Sequence, residues 1–258
     1  QKEQLGYLTG SFQRYIDEME RQMRAGGVEI RASTPVERIT AADGRATGVV
    51  LGDGTEAAAD AVIAALPSLL FRKMAPSLGE EYERRLDAVQ WQGAICAVMT
   101  LDRPLSNIYW MNIGDRSMPF LAVIEHTNFV GPEHYGGNHI VYISNYLARD
   151  HAYFGKSDTE LWALFEPALR QINPEFSAEW IKQRWMFRAP FAQPIITCGY
   201  GDIKPDHRTP IAGLYLESMT QIYPEDRGQN YSILMGEQVA RMAIEDFEAR
   251  GPMPGPAA

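Results

Sequence analysis

The hydrophobic positions near the start of the chain recur with the spacing of an α-helix. They are Phe12, Ile16, Met19 and Met23. Residues three or four apart share one face of a helix, and the glycine pair that follows, Gly26-Gly27, commonly ends one. The pattern therefore predicts an amphipathic helix, with a short strand after it over residues 28–31.

Residues 33–67 change to the pattern of β-structure. An extended segment leads into two apolar runs separated by Gly-Asp-Gly-Thr at residues 52–55. The Asp53-Gly54 pair favours a tight hairpin. The next run, Ala-Asp-Ala-Val-Ile-Ala-Ala-Leu at residues 59–66, is typical of a short buried strand, and it ends at Pro67.

The middle of the chain is predicted to be a helical passage followed by successive strands. Residues 68–90 keep helical spacing, with Ser68 as the N-cap. Strand-like runs then occupy residues 94–101, 109–113, 119–124 and 139–146. Because the connections between these runs are short, we expect an antiparallel sheet.

A helix and a further strand follow this sheet. Ser157 and Glu160 have the spacing of a capping box, which marks the start of a helix. Pro167 lies inside the helical pattern and should kink or split it. Residues 181–187 then return to a strand pattern.

The last part of the chain is predicted to be a strand, a loop and a long helix. The strand covers residues 213–216 and the loop covers residues 217–228. The apolar face of the helix comprises Ile233, Ala240, Ile244 and Phe247. Residues 251–258 are rich in Gly, Pro and Ala and are expected to be disordered.

This order of elements resembles the flavin amine oxidase superfamily, which also contains protoporphyrinogen oxidases and phytoene desaturases. The resemblance implies a mixed α+β or α/β fold, in which a partial FAD-binding layer carries an inserted, mainly antiparallel sheet-plus-helix substrate domain. Residues 1–68 and 196–250 would belong to the FAD-binding domain, and residues 69–195 to the substrate domain. The stretch from Asn138 to Pro194 is similar to the protoporphyrinogen-oxidase-like group.

The resemblance also implies which residues contact FAD. The implied residues are Val36 beside the adenine, Pro67 at the end of a strand, Ser218 and Met219 after the returning strand, and Gly228, Asn230 and Tyr231 at the start of the last helix. A helix N-terminus presents N–H groups and partial positive charge to an electron-rich ring edge. An ordinary capped helix is the alternative interpretation of the Gly228–Tyr231 turn.

Two features lower the affinity for FAD that is expected of this chain. The sequence contains no Gly-x-Gly-x-x-Gly fingerprint, whose backbone binds the pyrophosphate in such folds. Met219 stands where the family has an aspartate, and a thioether accepts hydrogen bonds poorly. We therefore expect a fragment of a longer flavoprotein, with FAD bound by the longer protein and weakly or not at all by this chain. The alternative is a non-catalytic binding module that kept the fold and lost FAD.

The candidate substrate-binding residues lie in the middle of the chain. Alternation places Tyr142 and Tyr146 on one face of a strand, where they could line a flat apolar pocket with Tyr109 and Trp110. Packing in the core is the alternative role for each of these residues. Arg188 could reach an anionic group, and a surface ion pair is equally compatible with its position. No residue pattern identifies a catalytic side chain, as expected if the flavin carries the chemistry of a small-molecule substrate.

Charge and composition exclude several other classes. The formal net charge of −9 argues against nucleic-acid binding. No apolar run approaches the roughly 20 residues that span a bilayer. The five histidines lack metal-ligand spacing, so no metal site is expected. Cys96 and Cys198 are interpreted as buried free thiols of a cytoplasmic protein.

Overall fold

The computed structural model describes residues 6–250, so the expected disorder of residues 251–258 lies outside the described residues. The chain forms two compact units. Within the described residues, the first unit contains residues 6–31 and 92–192, and the second contains residues 32–91 and 193–250. The units differ from the predicted domains in the placement of residues 6–31 and 69–91. The predicted domain limits, at residues 68 and 195, stay predictions.

Strands and helices occur in groups along the chain. The helices are α1 (Ser11–Ala25), α2 (Ser68–Met74), α3 (Glu80–Ala88), α4 (Asp158–Ile172), α5 (Tyr200–Ile203) and α6 (Gln229–Arg250). The strands are β1 (Val36–Ala42), β2 (Arg45–Leu51), β3 (Glu56–Ala58), β4 (Val62–Ala64), β5 (Trp91–Leu101), β6 (Trp110–Asn112), β7 (Ala122–Glu125), β8 (His139–Ala148), β9 (Ile181–Pro194) and β10 (Leu214–Leu216). The strands β1 to β4 and the strands β5 to β8 each follow a helical segment. The mixed fold with antiparallel sheets confirms the predicted fold class.

The second unit contains the predicted hairpin. Strands β2 and β3 pair antiparallel across the 52–55 turn, which the Leu51 N–H closes by donating to the Thr55 carbonyl at 2.8 Å. Strand β1 pairs with β2 in a further hairpin, whose turn residues Asp43 and Gly44 both have positive φ. Asp-Gly pairs are suited to such turns. This second Asp-Gly signal was present in the sequence but was not interpreted as a turn.

One glycine of this sheet has no acceptable replacement. Gly48 in β2 has a φ of 146°, and a Cβ atom there would stand 2.1 Å from the Ala57 carbonyl oxygen of β3. The close approach of the two backbones therefore requires glycine.

The first unit is built on a five-stranded sheet in the order β6-β7-β8-β5-β9. Strand β8 pairs antiparallel with both β5 and β7, which confirms the predicted antiparallel sheet. Alternate residues of β5 are fully buried, and they pack with α4 in one apolar core. The buried α4 residues are Leu161, Trp162, Phe165, Ala168 and Leu169. The opposite face of the sheet is only half-buried, and it is described with the candidate site.

Local signals at helix ends were partly correct. The capping box of α4 is present, with the Ser157 and Glu160 side chains each bonding the other's backbone N–H. Pro167 does not split α4, because the helix runs unbroken to Ile172. Ser68 is the first residue of α2 rather than its N-cap, a position that Pro67 occupies. The Ser68 hydroxyl is buried and accepts a bond from the Trp91 indole at 3.1 Å.

Two further expectations were wrong. Residues 28–31 form no strand. Cys198 is exposed and Cys96 is half-buried, although both were expected to be buried.

The predicted first helix is present as α1. It buries none of its residues, so its apolar stripe is exposed within the described part of the chain.

The packing face of α6 also differs from the predicted one. The residues Ile233, Ala240, Ile244 and Phe247 are all exposed, and Met235 and Val239 are buried instead. Asp246 follows Val239 by seven residues and accepts a bond from the buried Tyr215 hydroxyl at 2.8 Å. A polar partner on β10 therefore helps to set the orientation of the helix, which a count of apolar residues cannot show.

Candidate functional site

Two parallel strands bring distant segments of the second unit together. Strands β4 and β10 pair in parallel with Ala64 opposite Leu216, and the Glu217 N–H donates to the Ala64 carbonyl at 3.0 Å. Pro67 lies three residues beyond β4 and Ser218 two residues beyond β10, so both follow the same carboxyl edge. In open α/β sheets, ligands bind at the carboxyl ends of parallel strands.

The polar residues after β10 are bonded to one another. The Ser218 Oγ lies 2.6 Å from the Thr220 Oγ1, and the Gln221 Oε1 accepts from the Ser218 N–H at 2.9 Å. The Gln221 side chain also donates to the Leu216 carbonyl at 3.2 Å. Thr220 and Gln221 are buried. Ser218 is thus the cap of a short 3-10 turn that begins at Met219, and its hydroxyl is already engaged.

An acidic side chain at this edge was missed by sequence reasoning. Glu217 is half-buried, and burial raises the pKa of its carboxyl. It is the only acidic residue among residues 65–68 and 217–220, which directly follow the two strands. Glu217 lies two residues before Met219, and it is not among the residues that the family resemblance implied to contact FAD.

The other residues implied to contact FAD are also in the second unit. Gly228 precedes α6, while Asn230 and Tyr231 belong to its first turn. The Asn230 Oδ1 folds back over Gly228, within 2.5 Å of where a Cβ would stand. No hydrogen bond or ring contact in residues 6–250 joins this turn to Ser218 or Met219. Val36 opens β1 opposite Leu51.

A group of aromatic residues in the first unit includes Tyr142, which lies on the half-buried face of the five-stranded sheet. Tyr142 on β8 lies opposite Val98 on β5 and Ile124 on β7. Six side chains then form a chain of ring contacts 4.9–6.4 Å between centroids. We call this set the aromatic cluster: Tyr7, Tyr109, His126, Phe129, Tyr135 and Tyr142. Tyr109 and Tyr142 belong to the cluster through other rings, without a direct ring contact to each other. Trp110 and Tyr146 are exposed, and the pocket expected for the four residues stays a prediction.

Two of these residues form a short polar contact. The His126 Nε2 lies 2.6 Å from the Tyr135 hydroxyl. Burial lowers the pKa of His126, and burial raises the pKa of Tyr135 to about 12, with the Tyr7 hydroxyl acting in the same direction. Both groups are therefore neutral at neutral pH. No spacing rule relates Tyr7, His126 and Tyr135, so only the fold identifies the contact.

A buried carboxylate holds the loop beside this cluster. Glu125 ends β7 and is fully buried. Its carboxylate accepts the N–H groups of Leu105 and Ser106 at 3.0 and 2.7 Å, and the Ser106 hydroxyl at 3.1 Å. Burial raises the pKa of Glu125, and the two N–H bonds act in the opposite direction. The side chain anchors the 105–106 loop to the strand that positions His126.

Arg188 is not brought together with Tyr142. Its guanidinium donates to the Asp158 carboxylate and to the Lys156 carbonyl, both at 2.7 Å. These contacts tie β9 to the start of α4, and no contact among residues 6–250 joins Arg188 to the aromatic cluster. Its role in binding a substrate stays a prediction.

Among the described residues there is neither a candidate metal site nor a helix suited to cross a bilayer. No group of three or more His, Cys, Asp or Glu side chains in residues 6–250 could hold a metal ion. Over the same residues, no helix combines the length and apolar character that a bilayer crossing needs.

The shared carboxyl edge of β4 and β10 is the kind of location where dinucleotides bind in open α/β sheets. The backbone at Gly228 is covered by the Asn230 side chain, whose Oδ1 lies 2.5 Å from where a Cβ atom would stand. The sequence contains no glycine-rich pyrophosphate loop.

Comparison with solved structures shows the same fold. An oxidoreductase from Methanosarcina mazei superposes with a TM-score of 0.68 at 18% identity, covering 90% of this chain and 54% of that one. A protein from Exiguobacterium sp. 255-15, provisionally assigned as a protoporphyrinogen oxidase, gives 0.70 at 17% identity, covering 92% and 52%. Reduced UDP-galactopyranose mutase gives 0.65 at 14% identity, covering 92% and 53%. The chain thus spans about half the length of these structures.

Sequence comparison assigns the family. No curated protein matches the chain. The family model for flavin containing amine oxidoreductases matches residues 2–224. Because this match covers well over half of the 258 residues, the chain belongs to the flavin containing amine oxidoreductase family.

Proposed function

We propose that this chain is the substrate-binding and C-terminal portion of a FAD-dependent oxidoreductase. When bound, FAD accepts a hydride from an organic small-molecule substrate. The chain contributes one wall of the flavin site in its second unit and an aromatic surface for the substrate in its first unit. We further propose a cytoplasmic location, which the two unpaired cysteines support.

The observation that carries this proposal is the parallel pairing of β4 with β10. The paired residues lie about 150 positions apart in the chain, yet the register places Pro67 and Ser218 at one carboxyl edge. Neither strand exceeds three residues. A two-stranded parallel sheet of this size is not a stable unit by itself, and parallel sheets are normally larger and covered on both faces. The pair therefore supports membership in a larger parallel sheet of a longer protein.

The proposed flavin contacts lie beyond this edge, and also at the start of β1 and at the start of α6. Val36, Pro67, Ser218 and Met219 would approach FAD through the backbone, because the Ser218 hydroxyl is engaged and Met219 is a poor acceptor. Gly228, Asn230 and Tyr231 would present the first turn of α6 to the ring system. The Glu217 carboxyl is available at the same edge to accept a bond from a cofactor hydroxyl.

The first prediction concerns the chain as given. We expect it to bind FAD weakly or not at all, because the glycine-rich loop that binds the pyrophosphate and the family aspartate are both missing from the sequence. The measurement is flavin absorbance at about 450 nm, a property of any oxidised flavin, in the purified chain after incubation with excess FAD and gel filtration. Retention of one equivalent of FAD would contradict the prediction.

The second prediction concerns the longer protein. The change Asn230→Trp should lower its flavin content and alter its reduction potential, because a bulky ring would replace the small side chain that folds over Gly228, at the turn proposed to face the flavin. Gln238→Trp is the matched control, since it places the same side chain at an exposed position of the same helix. Equal flavin content, potential and turnover in both variants would show that the turn is structural only.

The rival interpretation is a non-catalytic binding module that kept the fold without FAD. Met219 and the missing glycine-rich loop favour it. The coding sequence upstream of Gln1 separates the two. A strand followed by Gly-x-Gly-x-x-Gly, with an acidic residue about 20 positions later, supports the oxidoreductase. A longer protein that purifies without flavin supports the binding module.

A further inference from the structure

Four strands of the five-stranded sheet, β5 to β8, place no charged side chain on its half-buried face. The residues of β5 on this face are Gln92, Ala94, Cys96, Val98 and Thr100. Ser144 lies opposite Cys96, and Tyr142 lies opposite Val98. The one acidic residue of these strands, Glu125, is fully buried and bonded to the 105–106 loop. A ligand against this face meets aromatic rings, aliphatic groups and hydroxyls.

A cavity adjoins the aromatic cluster within the same unit. It has a volume of about 300 Å³, and apolar or aromatic side chains form one part of its lining: Tyr7, Leu8, Val130 and Tyr135. The rest of the lining is Thr9, Gly10, Ser11 and His134. This volume lies at the lower end of small-molecule pockets, which are mostly apolar with a few convergent polar groups. Tyr7 and Tyr135 belong to both the cavity and the cluster, so the two form one continuous surface.

Among residues 6–250, the lining of the cavity contains no Asp, Glu, Lys or Arg side chain, and His134 is its one imidazole. The His134 side chain is exposed and stands 3.7 Å from the Glu133 carboxylate. The Arg14 guanidinium donates to the Thr9 carbonyl at 3.1 Å and is exposed. Neither group reaches into the cluster. A charged ligand bound inside would lose its hydration without gaining a counter-charge, which a neutral ligand avoids.

One hydrogen-bonding position stands out on this surface. The Tyr135 hydroxyl lies between the cavity and the His126 imidazole, which it contacts at 2.6 Å. The Tyr7 side chain is a second hydrogen-bond partner of this hydroxyl. Because a hydroxyl has one donor and two acceptor lone pairs, a further position remains for a ligand. The edge-to-face rings around it suit a flat partner.

We propose that the aromatic cluster and its cavity bind an uncharged, flat, largely apolar group of the substrate, and that the Tyr135 hydroxyl orients this group through a hydrogen bond. The inference rests on the proposed function in treating the ligand as the substrate of a flavoenzyme. It names a substrate class, and it makes Tyr135 a specificity-determining residue.

The test uses three probes of one shape and different charge. The probes are 2-naphthol, 2-naphthoate and 2-naphthylmethylammonium, titrated at neutral pH into the 258-residue chain by calorimetry or ligand-observed NMR. We expect 2-naphthol to bind at least about tenfold more tightly than either ion, since about 1.4 kcal/mol of unmatched desolvation has that effect. Equal or tighter binding of an ion, or no binding of 2-naphthol, would overturn the proposal.

A variant tests the role of Tyr135. Tyr135→Phe keeps the ring and removes the hydroxyl, so 2-naphthol should bind roughly 3- to 10-fold more weakly, the usual effect of one hydrogen bond. Tyr223→Phe is the control, because this exposed tyrosine lies in the other unit. Equal affinities in both variants would overturn the role of Tyr135. The charge series on the unmodified chain remains decisive even if the Tyr135 variant folds poorly.

Failure of this inference can be told apart from failure of the proposed function. The titration contains no flavin, so a chain that rejects 2-naphthol leaves the flavin content of the longer protein as a separate result. Suppose instead that the longer protein holds no flavin, while the 258-residue chain still binds 2-naphthol more tightly than both ions. That result would overturn the proposed oxidoreductase and support the proposed binding surface.

Discussion

Truncation of Phe165 to alanine is expected to lower the free energy of unfolding of the first unit by about 3–5 kcal/mol. The ring is fully buried, with Phe120 at 5.7 Å and Tyr153 at 6.2 Å between centroids. The loss combines the transfer free energy of the ring with the cavity that remains, because the surrounding helix and sheet relax only in part. Chemical denaturation followed by circular dichroism measures the effect.

The control for this truncation is the neighbouring residue. Leu164 precedes Phe165 on α4 and is 39% exposed. Leu164→Ala should cost well under about 1 kcal/mol, because surface substitutions have small effects. A similar loss in both variants would mean that α4 does not pack on the sheet as described. Since the chain has two units, the comparison should use the transition assigned to the first unit.

Replacement of Glu125 by alanine is the second large change, with an expected loss of about 3 kcal/mol. The reason is that two backbone N–H groups, those of Leu105 and Ser106, would lose their partner, at about 1–3 kcal/mol for each buried unsatisfied group. The loop would loosen from β7 next to His126, so 2-naphthol binding should weaken as well. Glu133→Ala, at an exposed position, is the control.

The same residue gives a pH dependence with a defined sign. Burial raises the pKa of Glu125 above its ordinary value, so the folded state binds the proton more tightly than the unfolded state. Its contribution to stability is therefore present at pH values below the ordinary glutamate pKa and is lost as the pH rises through the raised pKa. In Glu125→Gln this contribution to the pH dependence should vanish. An unchanged pH profile in the variant would show that Glu125 does not titrate in this range.

Several apolar side chains are exposed among the described residues. Helix α1 and the outer face of α6 expose apolar stripes, and Ile63 on β4 is exposed as well. Within the proposed function, additional chain in a longer flavoprotein would cover these surfaces. The flavin content of that protein and the exposure of these residues are independent measurements.

Much of the architecture was determined by local sequence. Asp53-Gly54 predicted the hairpin turn, Ser157 and Glu160 predicted the start of α4, and strand-like runs predicted β5 and β8. These signals succeed because turns, caps and strand alternation depend on residues close together in the chain. The order of such elements also carried the family resemblance, which the match over residues 2–224 confirmed.

Tertiary structure decided which surfaces pack and which polar groups meet. Helical spacing in α6 predicted a face through Ile233 and Ile244, whereas the contact of Asp246 with Tyr215 helps to place Met235 and Val239 inside. The aromatic cluster joins residues as far apart as Tyr7 and Tyr142, so no spacing along the chain reveals it. The sequence by itself determined the elements and the family of this protein. Only the fold determined the buried faces, the engaged Ser218 hydroxyl and the uncharged surface around Tyr135, because these depend on contacts between segments that are remote in sequence.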